Sequence, residues 1–351
     1  QLAEEAEDRG LWTAAFGSGE TLGVAIDALA GDWPLATERL CEMLLEPAFP
    51  EDRLEWMRRR SVAELEAALD QPDVKTGIAF AEQLYSPHPY GRPLQGDRDS
   101  LTALTREDCE RYHRRCLAHG GCLAVVGAID PERVMERLER LLTGLPAARP
   151  PGSTPPAPAG LGGRREVQAG EADQAHLFVG HTTAARTSPD LPALELLGVI
   201  LGAGGLAGRL PTRLREREGL AYQVDVATAA GAGLDAGRRT VYLGTSPRQV
   251  EHAEAVIREE LARLVELGAS ASELEEARGF LLGREPFRRE TLRQRADLIA
   301  ESELYGLGVD RDGWWPRRLR AVDLKTLNAA ARRWIRPEAL RVTVGLPRPS
   351  E

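Results

Sequence analysis

The residues best suited to chemistry are Arg215 and Tyr222, seven positions apart in the stretch LREREGLAY. A tyrosine hydroxyl can donate a hydrogen bond to a carbonyl oxygen while negative charge develops on it. An arginine guanidinium is a rigid fork of donors that suits peptide carbonyls and carboxylates. Together the two side chains could hold a peptide backbone and polarise one of its carbonyl groups.

Four glycines precede this pair, in the stretch LGAGGLAG: Gly202, Gly204, Gly205 and Gly208. They fit the G-x-G-x-x-[GA] turn of dinucleotide-binding folds, but that turn has to follow a strand. The residues before Gly202 are LPALELLGVIL, whose leucines recur every three or four positions and so predict a helix. We therefore interpret the glycines as the end of a helix and the loop after it, not as a phosphate-binding turn.

Composition narrows the class of protein. The chain has 351 residues, of which 42% are hydrophobic and 28% are charged, as expected for a folded protein with room for two domains. The net charge of −9 argues against a nucleic-acid partner, which needs concentrated positive charge. No apolar run predicts a membrane span. The count of four cysteines does not indicate the cellular compartment. A cytoplasmic and a periplasmic location both stay open.

The two halves of the chain repeat one order of elements. Residues 101–127 and 319–345 each show a helical pattern, a break and an apolar strand that ends in glycine. Residues 146–165 form a tract of Pro, Gly, Ser and Ala, which predicts a linker. We therefore predict an α+β fold of two homologous domains, residues 1–145 and 166–351, each an antiparallel-rich sheet covered by helices.

The repeat also predicts an absence in the first half. The second half contains the strand QAHLFVGHTT and the helix LPALELLGVIL before LREREGLAY. The corresponding point in the first half falls at residues 2–12, so no equivalent strand and helix precede it. We expect the first domain to lack its opening strand and helix, either because the chain is truncated there or because the domain is degenerate.

Several motifs together resemble one family. The stretch RLPTRLREREGLAY, with LLEPAFPEDRLE, YSPHPYGRPLQGDRDS and LAVVGAIDPERV in the first half, resembles the M16 zinc metallopeptidases. The resemblance extends over nearly the whole chain, with the motifs in the family's order. It implies the LuxS/MPP-like metallohydrolase fold in both domains, and it gives Arg215 and Tyr222 the roles of functional residues. It also implies that the glycine loop contacts extended substrate.

The zinc motif of active M16 members, H-x-x-E-H, occurs at none of the six histidines. Glu64 falls at the family's distal zinc-ligand position, but a solvated helical glutamate is the simpler interpretation, and Met57 replaces a glutamate that active members often keep. The segment HRRCLAHGGC at 113–122 is a poor metal site because it spans a helix end, a break and a strand start. His88, in SPHPYGRP, is interpreted as structural. We expect this chain alone to bind no metal, with zinc in a partner or in a missing N-terminal segment.

The leading hypothesis is a non-catalytic peptidase subunit. It would bind extended peptide and supply Arg215 and Tyr222 to an M16 partner that carries H-x-x-E-H, with a homodimer as the other possible assembly. Two alternatives stay open: a single-chain zinc endopeptidase whose H-x-x-E-H segment is absent from this chain, and a catalytically silent scaffold with the M16 fold. The Arg/Tyr pair counts against a scaffold, and the missing zinc motif counts against self-sufficient catalysis.

Overall fold

The structure is a computed structural model that describes residues 8–145, 162–170, 173–205 and 207–348. Most of the predicted linker therefore lies outside the described residues. The chain forms two compact units. Unit 1 comprises Gln1–Ala63, Leu94–Ser153 and Arg288–Leu304, and unit 2 comprises Glu64–Pro93, Thr154–Phe287 and Tyr305–Glu351.

The strands in chain order are β1 Trp12–Gly17, β2 Leu22–Asp27, β3 Gly163–Gly170, β4 Ala175–Thr182, β5 Val224–Ala230, β6 Arg238–Thr245 and β7 Arg341–Pro347. The longer α-helices are α1 Trp33–Leu45, α2 Glu51–Leu69, α3 Pro72–Tyr85, α4 Arg98–Ala103, α5 Arg106–Ala118, α6 Pro131–Leu141, α7 Leu191–Leu201, α8 Val250–Leu267, α9 Ala271–Arg284, α10 Leu292–Leu304, α11 Arg311–Ala321 and α12 Leu324–Trp334. No helix among the described residues is both long enough and apolar enough to cross a bilayer.

Local sequence explains where two of these helices begin. At the start of α5, Thr105 and Asp108 form a capping box, in which each side chain bonds the other residue's backbone N–H. Ser270 and Glu273 form the same arrangement at the start of α9. A capping box satisfies backbone donors that the first turn of a helix leaves free, so these residues fix both boundaries.

Unit 1 contains one antiparallel pair of strands, β1 and β2, with Trp12 opposite Asp27 and Gly17 opposite Leu22. Helix α1 packs on β2, and α6 packs on α1. The strand predicted at the end of residues 101–127 is wrong, because the chain after α5 forms no strand there. A strand needs a neighbour for its backbone N–H and C=O groups, and no described strand pairs with this segment.

Unit 2 contains a five-stranded sheet in the order β3-β7-β4-β6-β5. Only the β3–β7 pair is parallel among its described ladders, which confirms the predicted antiparallel-rich sheet. Leu177 and Val179 of β4 face a continuous apolar core. Helices α7 and α8 pack on this sheet, and α9 and α12 pack against α7.

The opposite side of the same sheet is covered by α3, a helix from the first half of the sequence. Helix α3 packs on β7, β4 and β3. Phe80 stacks on Phe178 of β4 with ring centroids 5.7 Å apart. Thr76 approaches β7 so closely that a side chain at Gly345 would collide with it. Residues that fall within 1–145 therefore complete the sheet of unit 2.

Candidate functional site

The glycine loop begins where α7 ends. Helix α7 stops at Gly202, whose φ of +134° lies in the region that favours glycine. Gly208 has a φ of +119°, and a Cβ added to it would lie only 2.5 Å from the Cα of Gly202. The loop thus closes on itself through two glycines that approach each other. This confirms a helix end, and it explains Gly202 and Gly208 by backbone geometry.

The other two glycines have different surroundings. Gly204 lies beside Phe280 of α9, so that an added Cβ would sit 3.3 Å from the aromatic ring. Gly205 has a φ of +108° and has open space around its Cα hydrogens. Nothing in this geometry reports on a substrate, and the role of the four glycines in binding stays a prediction.

Arg215 lies in a π-helix, Thr212–Arg217, that follows a short helical turn at Arg209–Pro211. The wider π turn is rare in proteins and is frequent at functional sites. Leu214 points into the core and is fully buried. Arg215 is partly exposed on the same turn, and its Nη2 donates to Glu216 Oε1 at 3.1 Å.

Tyr222 follows this turn and is 93% exposed. The two residues before it, Leu220 and Ala221, are buried. The backbone of Leu220 is bonded on both sides: its N–H donates to Leu214 O at 2.8 Å, and its carbonyl accepts from Thr245 Oγ1 at 2.7 Å. The backbone that carries Tyr222 is therefore anchored, while the phenol ring gains almost nothing from packing. A tyrosine kept for the core would be buried.

Arg213 ties the π-helix to α8. Its guanidinium contacts Glu218 and Glu259 at 3.0 Å each, and Glu260 at 3.6 Å. The hydrogen bonds that Arg213 donates to Glu218 and Glu259 raise the pKa of Arg213 above its usual value. Glu218 also contacts His252 Nε2 at 2.9 Å. The turn that bears Arg215 is thus held by charged groups on a neighbouring helix.

Arg209 ties the start of the same segment to α9. Its Nε donates to Glu273 Oε1 at 2.6 Å, and its Nη1 lies 3.7 Å from Glu260. Burial would by itself raise the pKa of Glu273, but hydrogen bonds from Arg209 and Ser270 outweigh it and lower the pKa to about 2. Sequence reasoning missed this network because its members lie on three separate segments.

Strand β5 starts directly after this turn and lies at an edge of the sheet. Among the described strands it pairs only with β6, and the ladder shifts register between Ala227 and Ala230. The other side of an edge strand has free backbone N–H and C=O groups, to which an extended peptide can add as a further strand. The Arg215–Tyr222 turn therefore lies next to a backbone suited to peptide binding.

The SPHPYGRP loop holds the connection between β5 and β6. The Nδ1 of His88 accepts from the backbone N–H of Tyr90, which places the ring proton on Nε2 for donation to Asp235 Oδ2 at 3.1 Å. The hydroxyl of Tyr85 donates to Ala236 O at 2.9 Å. Burial raises the pKa of Tyr85 to about 12. His88 thus has structural contacts in unit 2.

The described residues do not fit a zinc site. They contain no group of three or more His, Cys, Asp and Glu side chains placed to hold a metal. Glu64 is an exposed residue of α2. The segment HRRCLAHGGC at 113–122 forms no such group either. No chemical step through a metal follows from the side chains of this chain.

Comparison with known proteins identifies the family. A model of the peptidase M16 inactive domain matches residues 103–281, just over half of the chain. The chain belongs to the peptidase M16 family. This confirms the resemblance from the motifs, and the match is to the family's inactive domain.

Two curated M16 relatives have contrasting names. A protein named an uncharacterized zinc protease in Streptomyces coelicolor is 30% identical over 282 residues, which are 78% of this chain and 60% of that protein. The non-peptidase homolog YmxG of Helicobacter pylori is 24% identical over 315 residues, or 89% of this chain and 72% of that protein. The chain spans 60% of the length of the Streptomyces relative and 58% of the length of a second relative, from Mycobacterium leprae.

A solved M16 structure has the same fold. The crystal structure of a peptidase M16 inactive domain from Pseudomonas fluorescens matches with a TM-score of 0.87 at 19% identity. The match covers 100% of this chain and 84% of that chain. At this identity the similarity establishes the fold and nothing about activity.

Proposed function

We propose that this M16 chain is a non-catalytic peptidase subunit. It binds extended peptide and completes the active site of a zinc-bearing partner with Arg215 and Tyr222. The observation that carries the proposal is the 93% exposure of Tyr222 on a backbone that is otherwise fixed by hydrogen bonds and ion pairs. A side chain that binds a second molecule has to be exposed and has to be held by a rigid backbone, and Tyr222 meets both conditions.

The two side chains have separate roles in this proposal. The hydroxyl of Tyr222 donates to the scissile carbonyl oxygen, and the bond strengthens as that oxygen becomes negative. Arg215 holds a neighbouring peptide carbonyl or a terminal carboxylate with its guanidinium fork. Hydrolysis is assigned to the partner, which carries H-x-x-E-H and its zinc. Peptide would lie along the free edge of β5, and the glycine loop with Gly204 would contact it.

The test is reconstitution with an M16 partner that carries H-x-x-E-H, with cleavage of an unstructured peptide as the readout. The chain alone should hold no stoichiometric zinc and cleave nothing. In the complex, Tyr222→Phe should lower kcat by about 10²- to 10³-fold, the usual effect of losing one oxyanion donor. Arg215→Ala should mainly raise KM. The matched controls are Tyr112→Phe and Arg248→Ala, two exposed residues elsewhere on the chain.

Two outcomes would contradict the subunit proposal. Cleavage by the chain alone with stoichiometric zinc would show a self-sufficient peptidase. Unchanged kinetics in both Tyr222→Phe and Arg215→Ala would remove their assigned roles, even if the complex forms and cleaves.

A second candidate is a single-chain zinc endopeptidase in which the H-x-x-E-H segment lies outside this sequence. The name of the Streptomyces relative favours it, because that protein is called a zinc protease. The coding sequence upstream of Gln1 distinguishes the two: an in-frame H-x-x-E-H favours the single chain, and a separate neighbouring gene with the motif favours the subunit. The silent scaffold is favoured by the name of YmxG, a non-peptidase homolog. The scaffold alternative would be supported if no tested partner restores cleavage of the peptide.

A further inference from the structure

A pocket of about 600 Å³ opens beside the glycine loop of unit 2. Its walls come from the end of α7, the π-helix, α8 and α9. A volume of this size is within the range that holds small organic ligands. Neither Arg215 nor Tyr222 lines it, but Gly204 and Gly208 of the glycine loop do, so the pocket adjoins the proposed peptide-binding turn.

Two arginines in this pocket have no ionic partner in the part of the chain that the structure describes. Arg217 and Arg263 both line it, and neither makes a hydrogen bond or an ion pair with any described residue. The other two arginines of the lining, Arg209 and Arg213, are bound to glutamates as described above. The chain as a whole has a net charge of −9, so a pocket lining with more arginines than glutamates is a local exception.

The acidic side chains of the lining do not neutralise these arginines. Glu260 and Glu273 are engaged by Arg209, which contacts them at 3.7 Å and 2.6 Å. Glu276 accepts a hydrogen bond from Ser272 Oγ at 2.8 Å. Four arginines and three glutamates line the pocket, so its lining has a net charge of +1, which favours an anion.

The remaining wall is apolar. Ile200 and Ala277 form buried parts of it, and Phe280 is half-buried. Leu267 lines the same pocket and is 72% exposed, so its side chain is available to cover an apolar ligand. A ligand that satisfies both parts of the pocket needs an anionic group and an apolar body.

We propose that this pocket binds a carboxylate carried on an apolar group. Arg217 and Arg263 hold the carboxylate, because a guanidinium matches the two oxygens of a carboxylate. Phe280 and Leu267 cover the apolar body. Such a ligand has two natural sources: the C-terminus of a peptide that ends in an apolar residue, and a free aromatic or aliphatic acid.

Isothermal titration with the full 351-residue chain tests this directly. The probes are N-acetyl-Ala-Ala-Phe as its free acid, the same peptide as its C-terminal amide, and 3-phenylpropionate. The free acid should bind saturably, and the amide should bind at least about tenfold more weakly because it lacks the charge-assisted bonds. Equal binding of acid and amide, or no saturable binding of either acid, overturns the proposal.

Variants locate the site independently. Arg217→Ala combined with Arg263→Ala should weaken the free acid by about tenfold or more, whereas Arg248→Ala, at an exposed arginine outside the pocket, should leave binding unchanged. Leu267→Ser should weaken both acids to a smaller extent. Tighter binding of the peptide acid than of 3-phenylpropionate would assign the pocket to peptide C-termini, and the reverse order to free acids. Unchanged binding in the double variant would overturn the assignment to this pocket.

Discussion

The two compact units differ most in the apolar surface that they bury. In unit 2 one continuous core joins the five-stranded sheet to its helices, and Leu194 in its middle is 0% exposed. In unit 1 the buried cluster is Cys41, Val134 and Leu138, while Trp12 of β1 is 57% exposed. The candidate Arg215–Tyr222 turn lies in the better-packed unit. A binding group is held precisely only when the core beneath it is rigid. Matched pairs of variants, one in each unit, test the difference in packing.

The largest expected difference is in the cores themselves. Leu194→Ala should lower the free energy of unfolding of unit 2 by about 2–5 kcal/mol, because it leaves a cavity in a dense core. Leu138→Ala should have a smaller effect in unit 1, where the smaller cluster can collapse around the gap. Urea unfolding combined with amide hydrogen exchange in each unit measures both. Equal losses would contradict the contrast.

A change in the opposite direction is expected at Arg239. This residue of β6 is fully buried, and none of its three guanidinium nitrogens has a partner within the described chain. Replacing a buried charge by an apolar residue of similar length is often stabilising, so Arg239→Met should raise the free energy of unfolding by about 1–4 kcal/mol. Arg293 of unit 1 pairs with Asp27 at 3.1 Å, and Arg293→Met should bring no such gain.

The same arginine predicts a pH dependence. Burial lowers the pKa of Arg239 from its usual value to about 9. The folded state therefore holds this proton less tightly than the unfolded state, and the penalty is largest below pH 9. The stability advantage of Arg239→Met over the wild type should shrink as the pH rises above 9. A constant difference over that range would show that burial of charge is not the cause.

A smaller effect is expected at the two capping boxes. Glu273→Gln in unit 2 removes a carboxylate that also binds Arg209, and it should lower stability by about 1–3 kcal/mol at neutral pH. Asp108→Asn, in the more exposed box of unit 1, should cost less.

Acid unfolding tests the Arg209–Glu273 pair separately. Glu273 has a pKa of about 2 in the folded chain against an ordinary 4.5, so its contribution is complete above pH 4.5 and is lost as the pH falls to 2. The Glu273→Gln variant should show a correspondingly flatter decline over that interval. An identical acid titration of wild type and variant would refute the role of the Arg209–Glu273 pair.

The smallest effect is expected at the histidines. His88→Gln should weaken the hold on the loop between β5 and β6 by about 1 kcal/mol, the net value of one hydrogen bond. Amide exchange in residues 231–237 should then accelerate. His113 in unit 1 donates to Leu44 O at 2.7 Å, and His113→Gln should leave exchange in 231–237 unchanged. If both variants leave that loop unaffected, His88 does not support the edge strand.

Elements of unit 2 were predicted well from the sequence where the spacing of apolar residues within one element was enough to define it. Helix α7 begins and ends as its apolar spacing indicated, because Gly202 stops it with a positive φ angle. The strand predicted in QAHLFVGHTT is β4. In unit 1 the strand before Gly127 was wrong, since its formation depends on a partner strand and not on its own residues.

The candidate site was predicted only in part. Arg215 and Tyr222 were chosen from their motif; Tyr222 is 93% exposed, Arg215 is partly exposed, and their roles stay a prediction. The π-helix could not be predicted, because six residues with one buried leucine give no spacing that distinguishes it from an α-helical turn. The pocket arginines were also missed. Arg217 and Arg263 are 46 positions apart in number, and only the fold brings them to one cavity.

Helix α3 has a consequence for how this protein could be divided. The second half of the sequence does not contain all of its own sheet covering, because Thr76 and Phe80 come from the first half. A polypeptide that starts at β3 would expose Phe178 and the neighbouring face of β7, and it should aggregate when expressed alone. Two separately expressed pieces, cut between α6 and β3, should instead reassemble through α3. This M16 chain is suited to study as a split protein, and its halves cannot be exchanged as independent modules.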